Sequence, residues 1–354
     1  MRLLIITQKI DKNDDILGFF HRWILEFAKH FEFITVISLQ VGEYNLPENV
    51  KVFSLGKEKV NTKDSPLSLQ RTVLCVSKLK YVFNFYKYIW QQRKNYDAVF
   101  VHMNPIYIVL GGLFWRLWKK KIGLWYTHKS VDTKLRIAEG WVNYIFTASD
   151  KSFRLKSKKL YIMGHGIDIE QFENRKLEVE SKKINILHIG RISRAKNVHL
   201  FAKVAEILKQ NRIQFQINIV GDAITKEDKK YLKELRDNIS NNELTEYFQF
   251  VGSISHTKVI EFYYKNDIFI NLSDTGSLDK AVLEAMASGI QVLVSNEAFA
   301  EILSEENKTT KDPKQIVKDI ERIAKTKTNI ALREYVIREH NLENLIAKLS
   351  KFMK

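Results

Sequence analysis

Cysteine and proline are nearly missing from this chain. Cys75 is alone among 354 residues, and there are four prolines and fourteen glycines. One cysteine cannot close an internal disulfide or furnish a multi-cysteine metal site, which fits a reducing, cytoplasmic setting. So few prolines and glycines exclude long linkers and low-complexity tails. Long apolar runs are missing too. The most apolar stretch, Ile106 to Trp118, follows Pro105 and is interrupted by Arg116. It is shorter than the roughly 20 residues a membrane span needs, so it reads as a buried helix. Met1-Arg-Leu-Leu-Ile-Ile-Thr is too short an apolar run for a signal peptide and reads as a first strand. No cluster of Asp, His or Cys stands at metal-ligand spacing, so no metal and no other cofactor is expected.

What is present suffices for two α/β domains with separate cores, since 45% of residues are hydrophobic and 12% aromatic. The net charge of +16 is uneven: residues 1–175 carry 28 Lys and Arg against 16 Asp and Glu, the remainder 29 against 25. The first half therefore offers a positive face to a membrane, a phosphorylated acceptor or nucleic acid, or simply carries solvated lysines. No nucleic-acid motif is recognisable, so nucleic acid is not expected as a partner. Between Arg71 and Lys94, basic residues interleave with Tyr81, Phe83, Phe85, Tyr86, Tyr88 and Trp90, and Phe114-Trp-Arg-Leu-Trp-Lys-Lys-Lys121 repeats the combination. Either these rings meet an anionic membrane interface, or they pack on a sheet and leave only lysines outside.

Short apolar runs without polar alternation predict strands buried on both faces: 3–6, 33–39, 98–102, 122–126, 144–148 and 160–163. Helical patterns fall at 19–29, 67–93 and 106–118. After a charged stretch at 174–183 the series restarts, with strands at 184–189, 215–220, 248–251, 268–272 and 292–294. Two βαβ series imply two parallel-sheet domains, with ligands beyond the carboxyl ends of the strands, in a cleft between them. A basic helical tail, 313–352, could pack on either domain.

Two segments carry chemistry. His188-Ile-Gly-Arg-Ile-Ser-Arg-Ala-Lys-Asn197 joins a strand to a helix, where this kind of fold binds phosphate. Gly190 permits close backbone approach, and Arg191 and Lys196 bring two cations to a helix start, against the dipole. The alternative is a solvated basic loop. The second segment is Asn271-Leu-Ser-Asp-Thr-Gly-Ser-Leu-Asp-Lys-Ala-Val-Leu-Glu-Ala-Met-Ala-Ser-Gly289, in which a helix is expected from Leu278 to Ser288, closed by Gly289. Leu278, Val282, Ala285 and Met286 are spaced to face the core. Ser277, Ala281, Glu284 and Ser288 share another face, on which Glu284 could accept two hydroxyls of a ribose or simply be a surface glutamate.

Gly190-Arg191…Lys196-Asn197, Phe250-Val-Gly252, Phe262-Tyr-Tyr…Asp267 and Leu283-Glu-Ala-Met-Ala-Ser-Gly289 resemble family 4 glycosyltransferases of the GT-B fold, in order and spacing across most of 184–303. Asp97-Ala-Val-Phe-Val-His102, Trp125-Tyr-Thr-His-Lys129 and His165-Gly-Ile-Asp168 extend the likeness into the first half. The resemblance implies an acceptor domain over 1–170, joined by a returning C-terminal helix at about 334–354, and a donor domain over 171–333. It implies retaining transfer of a sugar from a nucleoside diphosphate sugar to a glycan or lipid-linked acceptor, in capsule, exopolysaccharide or lipopolysaccharide synthesis. The setting would be the inner face of the cell membrane. Arg191 and Lys196 would hold the diphosphate and Glu284 the ribose, with Gly190, Gly276, Ser277 and Leu278 also at the donor. His128 would contact the transferring sugar, and Gly18 would line the loop near the reacting centre. Without the resemblance, His128 reads as a strand-end histidine. Many members carry a second Glu eight positions before the one matching Glu284; this chain has Gly276 there, where Thr275, Ser277 and backbone amides could substitute. A sugar-nucleotide epimerase on the same fold, or a non-enzymatic nucleotide- or nucleic-acid-binding protein, would share much of this pattern.

Overall fold

The computed structural model describes residues 1–59, 67–172, 183–325 and 330–354, with side chains of the helix starting at Leu67 described from Val76 onward. The expected charged connection at 174–183 lies outside the described residues apart from Lys183, as do the side chains of Arg71 and Cys75. The chain forms two compact units, Met1–Gly166 with Leu342–Lys354, and Ile167–Asn341. The division falls at Gly166 instead of 170, and the returning segment begins at Leu342 instead of about 334.

The first unit begins β1 (Arg2–Ile10), α1 (Phe19–Ala28), β2 (Phe33–Val41), β3 (Val50–Ser54) and α2 (Leu67–Gln91). It continues β4 (Ala98–His102), α3 (Ile106–Leu117), β5 (Lys121–Trp125), α4 (Thr133–Trp141), β6 (Tyr144–Thr147) and β7 (Leu160–Ile162). Its seven parallel strands lie in the order β3-β2-β1-β4-β5-β6-β7. The second unit contains β8 (Ile184–Ile189), α5 (Leu200–Gln210), β9 (Phe215–Val220), α6 (Lys226–Asn241), β10 (Phe248–Gly252) and α7 (His256–Lys265). After these come β11 (Ile268–Asn271), α8 (Lys280–Ser288), β12 (Gln291–Val294), α9 (Pro313–Ile323) and α10 (Ile330–His340). Its parallel sheet has the order β10-β9-β8-β11-β12. The basic tail is therefore three helices; the last, α11 (Leu342–Met353), belongs to the first unit.

Helices on both faces explain the unbroken apolar strands. In the first unit, Phe20, Trp23 and Phe27 of α1 pack with Leu345, Leu349 and Met353 of α11 on one side of the sheet. Phe85 and Ile89 of α2 pack with Ile108 and Trp115 of α3 on the other. The strand order reverses between β1 and β4, and again between β8 and β11. Such switch points open a crevice beyond the carboxyl ends of the strands. In the second unit, the chain leaves β8 into residues 190–199 and β11 into 272–279, so both motif segments flank that crevice.

Candidate functional site

Gly190 leaves β8 at φ 151°, a backbone conformation other residues rarely adopt. Its amide donates to Val220 O at 3.0 Å, holding the ends of β8 and β9 together. A single 3-10 turn, Arg194–Lys196, follows, and Asn197 closes it in the left-handed region at φ 53°. Asn197 Nδ2 donates to Leu272 O at 2.9 Å and Asp274 Oδ2 at 2.6 Å, and the Asp274 amide donates to Ala195 O. The two motif segments are thus tied to each other. α5 begins only at Leu200, so Lys196 sits in the turn before the helix.

Both cations meet carboxylates. Arg191 is half exposed, and its Nε lies 3.7 Å from Asp228 Oδ2 at the first turn of α6. Lys196 is mostly buried, and its Nζ donates to Asp279 Oδ2 at 2.8 Å. The same oxygen accepts from Asn271 Nδ2 at 2.9 Å, and Asp279 Oδ1 accepts from the Thr275 hydroxyl at 3.3 Å. Beneath them lies the His188 ring, wholly buried. Its Nδ1 is 3.4 Å from Ile270 O, and its Nε2 has no hydrogen-bond partner among the described residues. Burial, reinforced by the Lys196 charge, pulls its pKa down from the ordinary 6.5 to about 4.

Gly276 is buried at φ 57°, so the position where the family resembled above often carries Glu is here a left-handed turn residue. The Ser277 carbonyl accepts from Asn296 Nδ2 at 2.9 Å. Leu278 packs in the core with Val282 and Met286, which leaves its backbone to the loop. α8 starts at Lys280, two residues later than its spacing predicts, with Asp279 as its N-cap residue.

From Val282 to Ser288 every residue of α8 is buried, so Glu284 is no surface glutamate. Its Oε1 accepts from His256 Nε2 at 2.8 Å and lies 3.3 Å from Lys280 Nζ; its Oε2 accepts from the Tyr263 hydroxyl at 3.2 Å. Burial pushes the Glu284 pKa up, but Lys280 and His256 outweigh it and bring it down to about 2. Burial pulls the Lys280 ammonium down, opposed by Glu284 and Asp168. A carboxylate offers about four lone-pair sites, so Glu284 can take a further hydroxyl while keeping these partners.

In the first unit, Gly18 precedes α1, and a Cβ there would stand 2.4 Å from Asp14 O. Only glycine lets the 11–18 loop fold this tightly. Asp14 organises the loop, accepting from the Ile16 and Leu17 amides and pairing with Lys9. His128 is exposed past the end of β5, with Nδ1 accepting from the Ser130 amide at 3.1 Å.

The structure brings Gly190, Arg191, Lys196, Gly276, Ser277, Leu278 and Glu284 into one unit, and places Gly18 and His128 in the other. Sequence reasoning passed over Asp279, His256 and Lys280. Lys280 and Glu284 stand four apart, a readable helical pair, whereas His256, 28 positions away, gave no local signal.

A doubly wound parallel sheet places its ligand crevice at the switch point, where both polar loops lie. Residues 169–341 match the family described as glycosyl transferases group 1. The second unit is accordingly a group 1 glycosyl transferase domain, and the chain has the GT-B architecture of two Rossmann-like units. Sulfoquinovosyl transferase SQD2 of Arabidopsis thaliana is 27% identical over 148 residues, 39% of this chain and 26% of the relative. A colanic acid biosynthesis glycosyltransferase, WcaL of Salmonella typhimurium, is 23% identical over 168 residues, 46% of this chain and 39% of the relative. The matches thus span well under half of these curated relatives. Among solved structures, HepE of Anabaena in complex with UDP and glucose superposes with a TM-score of 0.72, covering 100% of this chain and 99% of its own. At 15% identity that likeness is one of fold.

Proposed function

We propose that this protein transfers a sugar from a nucleoside diphosphate sugar to a hydroxyl acceptor, with retention at the anomeric carbon. The observation that carries this reading is the loop after β8. There Gly190, Arg191 and Lys196 stand at the switch point of a group 1 glycosyl transferase domain, tied through Asn197 to the segment leading to Glu284. The UDP and UDP-glucose bound by HepE support a nucleotide-sugar donor.

Transfer breaks the bond between the anomeric carbon and the β-phosphate oxygen, and forms one from that carbon to the acceptor oxygen on the same face. The acceptor proton passes to the departing phosphate. Arg191 and Lys196 neutralise the charge that develops there, the largest kind of contribution a preorganised site makes. Lys196 has three donor protons and Arg191 five, so each can hold its carboxylate and a phosphate oxygen together. These cations supply the countercharge a metal would otherwise bring, so the reaction proceeds without one. Glu284 takes a ribose hydroxyl, Gly276, Ser277 and Leu278 offer backbone to the donor, and His128 and Gly18 serve the sugar and acceptor side.

The WcaL likeness supports polysaccharide assembly as the setting. The excess positive charge of residues 1–175 supports work at the cytoplasmic face of an anionic membrane, where a lipid-linked acceptor is met. No helix among the described residues is long and apolar enough to cross a membrane.

Thermal-shift titration with nucleoside diphosphates and their sugars tests the donor. Melting should rise with a nucleoside diphosphate and less with the nucleoside alone, because ligands of the native state stabilise it in proportion to their affinity. Lack of any shift across all bases and sugars overturns the reading.

A further inference from the structure

The first unit carries exposed apolar side chains that its own core does not use. α2 turns Phe85 and Ile89 inward, where both are buried. On its opposite side Val76, Leu79, Phe83 and Trp90 recur at spacings of three, four and seven, one helical stripe. All four are exposed, Phe83 by 70% and Trp90 by 53%. Leu113 and Leu117 of α3, one helical turn apart, are exposed as well. Between α2 and α3 opens a groove of about 600 Å³, walled by Phe83, Tyr86, Trp90, Phe114 and Trp118. Its walls are held upright: Trp90 and Trp118 meet edge to face at 5.6 Å, and the Tyr86 hydroxyl donates to Leu110 O at 3.1 Å.

The segment that builds the groove is strongly basic. Residues 76–121 hold nine Lys and Arg and a single carboxylate, Asp97, which pairs with Arg2. Lys78, Lys80, Lys87 and Lys94 of α2 and its C-terminal extension are exposed, as are Arg116 and Lys119 beside α3. The Arg93 guanidinium stands 5.0 Å over the Trp90 ring, joining rim and groove.

We propose that this face is a lipid site: the α2–α3 groove takes part of one acyl or isoprenoid chain of an anionic lipid, while the basic rim holds its phosphate headgroup. Exposed apolar patches rimmed by polar groups mark interaction surfaces. The neighbourhood of lysines and arginines selects among occupants. An acidic protein would satisfy the rim but leave the aromatic stripe wet, and a second copy of this chain would bring like charge against like. A lipid satisfies both, with aromatic rings at the headgroup boundary and cations against the anionic surface. The inference deepens the membrane-side reading of the acceptor and rests on it, but not on the transfer chemistry.

Flotation with phosphatidylcholine vesicles, with and without phosphatidylglycerol, tests the site, together with tryptophan quenching by acyl-brominated lipid. Wild type should float only with phosphatidylglycerol, and bromine should quench its fluorescence. Phe83→Ser and Trp90→Ser keep every positive charge, yet each should lower partitioning about tenfold. Leu79→Gln, farther from the groove walls, gives a second variant should either fail to fold as judged by circular dichroism. Flotation that survives these substitutions means the lysines act alone, and overturns the groove while leaving the membrane reading. No flotation of wild type overturns both. Vesicle-free dimerisation that Phe83→Ser abolishes would assign the stripe to a second copy and overturn the lipid site. Nucleotide thermal shifts, measured in parallel, report on the donor site independently.

Discussion

Lys196 Nζ donates to Asp279 Oδ2 at 2.8 Å, so the cation expected at the donor diphosphate already faces a carboxylate. Asp279 is further held by Asn271 and Thr275, and the pair is mostly buried. An anion entering beside Lys196 therefore meets a partly neutralised site.

Removing that carboxylate should strengthen the site. Asp279→Asn is expected to tighten nucleoside diphosphate binding several-fold, to about tenfold, because a like charge near the phosphates is lost. Lys196→Ala and Arg191→Ala should each lower turnover by about a hundredfold. Calorimetric titration and initial rates check both. Unchanged affinity in Asp279→Asn would mean the carboxylate does not compete for Lys196.

Glu284 closes a buried network with Lys280, His256 and Tyr263. Breaking one partner of a buried pair leaves the other uncompensated, at about 3–5 kcal/mol. Glu284→Ala should therefore lower stability by an amount of that order in urea unfolding, as well as weaken nucleoside binding. A loss under 1 kcal/mol would place the carboxylate in water. Because the folded pKa is depressed to about 2 from 4.5, the contribution is complete above pH 4.5 and fades as pH falls towards 2.

His188 makes a separate pH dependence. Its folded pKa of about 4 lies below the ordinary 6.5, so the unfolded chain binds the extra proton first between those values. Stability is full above pH 6.5 and declines as pH falls towards 4, by on the order of 3 kcal/mol. His188→Phe should flatten the melting-temperature profile across this window. A profile of equal slope in the variant assigns the effect to other groups, such as His340, whose pKa burial likewise lowers to about 4.

Gly276 at φ 57° makes substitution costly. Gly276→Ala should lose about 1–2 kcal/mol, and Gly276→Glu should lose at least as much without raising turnover. Equal stability in urea would show that the 273–279 loop readily takes another conformation.

Turnover should withstand EDTA if Arg191 and Lys196 act as the proposed cationic partners of the diphosphate. Strict dependence on Mg²⁺ or Mn²⁺ in an assay of released nucleoside diphosphate contradicts that account.

Strands such as Ala98–His102 and Ile184–Ile189 were legible because burial on both faces demands unbroken apolar runs. β3, with its polar-flanked Val50–Ser54, and α4 gave no comparable pattern. Helix α8 was readable as amphipathic from its core-facing residues, but not that α7 would cover its other face and bury Glu284. Such coverage depends on His256 and Tyr263, which fold packing brings near and spacing does not. The loop after β8 was readable as a cationic turn; that Asp279 answers Lys196 required knowing that β8 and β11 are neighbours in the sheet. Both misses concern contacts between segments far apart in sequence.

The return of α11 also sets an order of assembly. Residues 167–341 are contiguous and hold their whole core, so they can fold as soon as they emerge during synthesis. The first unit, begun earlier, must wait with Phe20 and Trp23 uncovered until Leu345, Leu349 and Met353 arrive. Its nascent form is thus the aggregation-exposed one. A nonsense change just before Leu342 should harm the half of the molecule that was translated first.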